Sequence, residues 1–208
     1  MASKLGIYKE SLGHLEERTI TSLSEDREPR RVLDDYYDGV LAYCLEKGYW
    51  NFAMRAVQVD TSTSISPTFG YDYAFQKPSD WVRTYWVSTD ESMDTPLNEY
   101  KDENGLWFAN FDPLYIKYVS SDSAYGGDLS IWPQSFADFV AFRLARMACK
   151  RVTGASSLLT ELKRDEKKAL ANAASKDAMN EAPGFAPVGT WARSRGGDNR
   201  NLSRWGRS

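Results

Sequence analysis

Val32, Leu33, Tyr36, Tyr37, Val40, Leu41 and Cys44 recur three and four positions apart, the period that gathers side chains on one face of a helix. The pattern predicts a helix running to about Lys47, with Gly48 ending it. Past Trp50-Asn51-Phe52-Ala53 the period changes. Val57-Gln58-Val59, then Tyr71, Tyr73 and Phe75 alternating with Asp72, Ala74 and Gln76, read as half-buried strands. The strands expected are Met54–Val59, Tyr71–Gln76, Trp81–Ser88, Leu106–Phe111 and Leu114–Tyr118, with Ser/Thr-rich or Asp/Asn/Gly-bearing loops between them. The loop over 61–70 is polar, and the one over 90–102 is acidic. Between Trp50 and Trp132 lie 17 of the chain's 28 aromatic residues, the composition of a strand-rich segment. Five such strands predict a small antiparallel sandwich or barrel.

Helical spacing returns after Pro133, which is placed to open a helix carrying Phe136, Phe139, Val140, Leu144, Met147 and Ala148 on one face as far as about Val152. Gly154 follows, and Ser156 or Ser157 is placed to cap a further helix from Leu158 to about Met179. Its apolar stripe is thin, formed by Leu158, Leu159, Leu162, Ala169 and Ala173, and its other faces are charged, with Glu161–Arg164 and Asp165–Lys168 spaced to pair. The fold class expected is α+β. N- and C-terminal helices form a bundle, a small antiparallel β-sandwich or barrel is inserted between them, and an extended C-terminal tail follows. The boundaries are a helical part over 1–50, a β domain over 51–132, a completing helical part over 133–182 and a basic Arg/Trp tail over 183–208, disordered until docked. Trp50, Asn51 and Phe52 mark the structural junction, where simple core packing at a joint accounts for both rings.

Several motifs follow one another in a fixed order: Gly48-Tyr49-Trp50-Asn51-Phe52-Ala53-Met54-Arg55-Ala56, Lys77-Pro78-Ser79-Asp80-Trp81, Tyr100 with Asp102-Glu103-Asn104-Gly105-Leu106, Ile116-Lys117-Tyr118-Val119, and Phe136-Ala137-Asp138-Phe139-Val140 through Leu144-Ala145. In this order the chain, over roughly residues 15–180, resembles the tail tubular protein A family, the head-to-tail adaptor (connector) proteins of tailed bacteriophages. Two features depart from the family pattern. Lys77 stands where an apolar residue usually precedes the proline, and the segment from Pro183 has no counterpart. The resemblance implies a virion structural protein at the head-tail junction, assembled in the host cytoplasm. It implies a homo-oligomeric ring, a dodecamer, that docks on the portal protein, carries the tail tube or nozzle protein, and passes genomic DNA through a central channel without sequence-specific binding. No cofactor, no metal and no membrane partner are expected.

Hydrophobic residues make up 42% and charged residues 26% of the 208 residues, ordinary proportions for a chain that folds. Met1–Leu12 has no apolar run of signal-peptide length, and no later stretch approaches the roughly 18 apolar residues of a membrane span, so a cytoplasmic location in the producing cell is expected. Cys44 and Cys149 fall on apolar helix faces as small hydrophobes, with no disulfide implied, and two cysteines with one histidine do not make a four-ligand zinc site. The net charge of −3 is unevenly spread. Residues 183–208 hold five arginines against Asp198, a net +4, which leaves −7 on residues 1–182. Three readings of that tail stay open: a solvated terminus, a nucleic-acid arm, or a segment that docks on a protein partner. The third is preferred, with Trp191 and Trp205 as anchors and Arg193, Arg195, Arg200, Arg204 and Arg207 for acidic grooves, the partner being the portal by the resemblance.

Catalytic chemistry finds little support. The only histidine, His14, lies between Gly13 and Leu15 in what reads as a mobile terminal segment, and no carboxylate pair is marked by context. Asp80 reads as a turn or cap residue, and Gly126-Gly127 and Gly196-Gly197 as flexible joints. No phosphate-binding glycine loop is present. The expectation is a structural adaptor without enzymatic activity. Its alternative is a carbohydrate-binding or tail-associated hydrolase module using surface aromatics, with Trp81, Trp86 and Trp107 as stacking platforms whose burial would count against it.

Overall fold

The computed structural model describes residues 2–180, and among them the apolar spacing of the second helical segment becomes α2 (Glu28–Glu46), with Val32, Leu33, Tyr37, Val40, Cys44 and Leu45 buried. Gly48 does follow its end, but for a reason of packing. A Cβ there would lie 2.8 Å from the Trp50 ring, so only glycine lets the indole fold back under the helix terminus.

A helix that the spacing did not reveal precedes it. In α1 (Lys4–His14) Ser3 is the N-cap, its side chain accepting from the Gly6 N–H, and Ile7, Tyr8, Ser11 and Leu12 are buried. The segment around His14 is therefore part of the packed structure, which corrects the mobile terminus expected there. The Ser11 hydroxyl reaches the Ala141 carbonyl at 3.1 Å, the Tyr8 hydroxyl donates to Asp34 at 2.6 Å, and the His14 ring stacks on Phe142 with centroids 3.9 Å apart. Asp34 also pairs with Lys4 and Arg30.

The strands are β1 (Met54–Val59), β2 (Tyr73–Gln76), β3 (Trp81–Ser88), β4 (Lys101–Glu103), β5 (Leu106–Ala109) and β6 (Leu114–Ser120). They form two three-stranded antiparallel sheets, ordered β1-β6-β3 and β2-β5-β4. β4 is the strand the aromatic pattern did not predict. Asn104 and Gly105 both have positive φ, 52° and 73°, the conformation of a two-residue hairpin turn that returns β4 along β5. β2 begins two residues later and β5 ends two residues earlier than expected, while β6 runs on to Ser120.

After the strands come α3 (Gln134–Val152) and α4 (Ser156–Ala178). Pro133 occupies the N-cap of α3. Ser156 is the first helical residue of α4 and not its cap; the Thr153 hydroxyl instead accepts from the Ala155 N–H at 3.2 Å across the short turn. On α4 Arg164 pairs with its neighbour Asp165, which also takes Lys168.

Two apolar clusters result. One gathers residues of all four helices with Trp50, Ala53, Val119 and Trp132. The other joins the two sheets through Phe75, Val87, Trp107, Ala109, Leu114, Ile116 and Tyr118. Strand β6 serves both, because Leu114, Ile116 and Tyr118 alternate toward the sheet cluster while Val119, one step out of phase, meets the helices. The turn after β6 is tightly packed, contrary to the flexible joint expected at Gly126-Gly127. A Cβ on Gly126 would fall 2.3 Å from the Ser120 carbonyl oxygen, and the Gly126 carbonyl accepts the Trp132 indole N–H at 2.9 Å.

Candidate functional site

The junction segment is a 3₁₀ turn, Asn51–Ala53, on which both ends of the helical region converge. Trp50 is buried, donates its indole N–H to the Cys44 carbonyl at 2.9 Å, and meets Phe136 edge-on at 4.9 Å. Phe52 packs on the same Phe136 ring at 4.8 Å. Asn51 binds the last turn of α4 twice. Its backbone N–H donates to the Asp177 carboxylate at 3.1 Å, and its side-chain amide donates to the Asp177 carbonyl at 3.0 Å. All three residues singled out at the junction thus lie together, and the clamp fastens the end of the last helix to the start of the first strand.

Beside the clamp, Gly48, Tyr49, Trp50, Tyr85, Ala174, Asp177 and Ala178 line a groove of about 320 Å³. Tyr49 and Tyr85 lean on each other with centroids 5.1 Å apart, and the Arg83 guanidinium lies over the Tyr49 ring at 4.1 Å. A larger cleft of about 690 Å³ adjoins it through Arg83, lined also by Glu46, Lys47, Trp81, Thr84, Tyr100 and Asp102. The sequence reading missed Tyr85, Ala174 and Ala178 as groove walls. The signal available was a pair of alanines four apart near the end of the last helix.

The floor of the cleft is a saturated polar cluster. The Thr84 hydroxyl accepts the indole N–H of Trp81 and of Trp107, both at 3.0 Å, and donates to Asp102 at 3.2 Å. Asp102 also pairs with Lys77, whose ammonium sits 3.3 Å from the Trp81 ring centroid and 5.4 Å from that of Trp107. Lys77 is therefore held by a cation–π cage and a carboxylate. The three tryptophans proposed as sugar platforms do not share an exposed face. Trp107 is fully buried, Trp81 is covered by Lys77, and Trp86 is half-buried with no hydrogen-bond partner for its indole nitrogen.

Asp80 is more than a turn residue. Its carboxylate accepts from Ser120, from Arg55 at 2.9 Å and from Tyr118 at 3.1 Å, tying β1 and β6 to the start of β3. Burial opposes its ionisation, but the hydrogen bonds from Ser120, Arg55 and Tyr118 prevail and hold the carboxyl below the ordinary aspartate range. Burial, with the Asp80 charge, pushes the Tyr118 hydroxyl up to about 12. On the helical side, burial raises the Glu166 carboxyl although Arg143 partly offsets it. Arg143 donates to Glu166 at 3.2 Å, whereas Arg146 lies 2.9 Å from the other oxygen without hydrogen-bond alignment. Both cysteines are buried as free thiols, and burial pushes Cys44 up.

The tail positions Trp191, Arg193, Arg195, Arg200, Arg204, Trp205 and Arg207 lie outside the described residues. Among the described residues no group of three or more His, Cys, Asp or Glu side chains is placed to hold a metal ion, and no helix is long and apolar enough to cross a membrane. The chain matches no protein-family model, and no curated protein matches it.

Proposed function

We propose that the chain is the subunit of a head-to-tail adaptor ring of a tailed bacteriophage. Identical subunits, twelve by the resemblance to the tail tubular protein A family, close side to side, dock under the portal protein and carry the tail tube or nozzle protein. Heterologous contacts of this kind close into a ring when the rotation between neighbours is right. In this reading the N- and C-terminal helices act as one bundle, the two sheets as an inserted sandwich, and the residues from Pro183 as the portal-docking tail. The chain then has no chemistry of its own, and its place is the virion after assembly in the host cytoplasm.

The observation that carries the proposal is the Asn51–Asp177 clamp. It returns the end of α4 to the junction between helices and strands, and the last described residue, Asn180, is three positions past the clamped Asp177. A subunit built this way can engage a partner through the tail while its packed clusters stay intact. Many weak attachments tethered in one ring add up to a persistent one through effective concentration. The net −7 on residues 1–182 suits a channel that DNA slides through, since like charge avoids ion pairing with phosphate.

Mass photometry of the purified protein with its cognate portal ring tests the reading. The portal peak is expected to gain about a dozen subunit masses, following the stoichiometry the resemblance implies. A portal peak that does not move at micromolar subunit excess sinks the adaptor reading, and a channel lined mainly by Lys and Arg in the assembled complex contradicts the sliding argument.

A further inference from the structure

The groove beside the clamp presents two half-exposed tyrosine rings and two small alanine side chains, with no described side chain filling it. Tyr49 and Tyr85 are 40% and 41% exposed, and Ala174 and Ala178 are exposed on the facing side of α4. A volume of about 320 Å³ lies at the small end of ligand pockets, roughly 300–1,000 Å³, which suits one large side chain better than a whole small molecule. Aromatic walls with a small-residue floor favour a flat ring.

We propose that the occupant is Trp191 of the same chain, seated in this groove in the free subunit. The last described residue, Asn180, is two positions past Ala178, a wall of the groove, and Trp191 follows eleven positions later. Eleven residues span up to roughly 36 Å, so the indole reaches the groove with slack. A short tether supplies an effective concentration on the order of millimolar, so a seat too weak to hold a free peptide is still occupied in cis. Trp205, fourteen residues further on, has the longer tether and the lower effective concentration.

Charge points the same way. Arg193 and Arg195 lie two and four positions past Trp191, so a seated indole would bring them toward the carbonyl end of α4, where the helix dipole places partial negative charge, in a chain whose residues 1–182 are acidic on balance. The seat makes the tail a latched segment. An outside partner captures it only by binding Trp191 better than the groove does, and the apparent affinity for that partner falls by the fraction of subunits seated. This latch is a property of the isolated subunit and stands whichever partner the chain serves.

The test is ¹⁹F NMR of the full chain labelled with 5-fluorotryptophan, with Trp191→Phe to assign the Trp191 resonance among the seven. The resonance is expected away from the position of a solvent-exposed indole, and Ala174→Glu or Ala178→Glu, both at exposed helix positions, should return it there while circular dichroism stays unchanged. A resonance already at the exposed position in the unmodified chain overturns the proposal. So does one that neither glutamate moves. A displacement seen only at high protein concentration gives the groove to the tail of a second copy and overturns seating in cis.

Discussion

Thr84 has one hydroxyl proton and two lone pairs, and all three are used, by Asp102 and by the two indoles of Trp81 and Trp107. Thr84→Val keeps the shape and removes every one of these bonds, stranding indole donors beneath Lys77. The expected loss is about 2–4 kcal/mol, since each buried donor left unpaired costs about 1–3 kcal/mol. Urea denaturation of Thr84→Val beside Thr84→Ser decides it, because serine should stay near the parent and equal losses in both would show the methyl group to matter instead. Asp80 gives a pH-dependent counterpart. Its carboxyl is depressed in the folded state, so its stabilisation is complete above the unfolded value of about 3.9 and fades as pH falls through the lower folded value. Asp80→Asn is expected to cost about 1.5–3 kcal/mol at pH 7, the range for hydrogen bonds to a charged group. The gap should begin to narrow below about pH 4, where the unfolded carboxyl takes up its proton, and close once the pH passes the lower folded value. A gap that stays constant down to pH 2 would mean the charge is not what binds the strands. Neither hub was legible in sequence. Lys77 stood out as an odd residue before a proline and Asp80 as a turn former, but their partners Asp102, Arg55 and Ser120 lie 25 to 40 positions away, and nothing local announces such pairings.

Elements were legible in proportion to the regularity of their apolar pattern. The helices α2, α3 and α4 and the strands β1 and β3 follow from spacing, and the ends it marked are met within about two residues, while the start of α2 at Glu28, four positions before Val32, was not marked. α1 was missed because Gly6 and Gly13 dilute it and its buried face includes Ser11, a polar residue satisfied only by the Ile7 and Ala141 carbonyls. β4 was missed because Lys101–Glu103 is polar and exposed, with no apolar alternation, although the Asn104-Gly105 pair is the turn signal that would have revealed it. At the junction the aromatic residues announced a joint, but not that the far end of α4 closes it. That closure can be weakened alone. Asn51→Ala removes the amide bond to the Asp177 carbonyl and should cost about 1 kcal/mol, which is roughly fivefold faster hydrogen exchange in the last turn of α4 with the rest of the helix unchanged. Exchange that accelerates equally along all of α4 would show the clamp to hold the helix as a unit and not its end.

At the scale of the molecule, charge and order of elements meet. The acidic residues 1–182 and the basic 183–208 belong to one chain, so on the proposed adaptor reading every subunit of a ring would bring one segment of sign opposite to the rest of its chain. If attachment to the portal is the joint product of these tails, it depends on how many a ring holds. A chain ending at residue 182 keeps every residue of both apolar clusters, the last of which is Ala173, and is expected to retain the circular dichroism of the full chain. Mixed with the full chain, it should enter the same rings. Losing about 1.4 kcal/mol per missing tail would lower the association constant tenfold for each, so portal attachment should collapse well before half the subunits are truncated. Mass photometry across a series of mixing ratios reads this directly. A steep, threshold-like fall supports a ring held by many weak tails. A fall in simple proportion to the truncated fraction would mean that subunits attach one by one, and the ring would have to be abandoned together with the adaptor reading built on it.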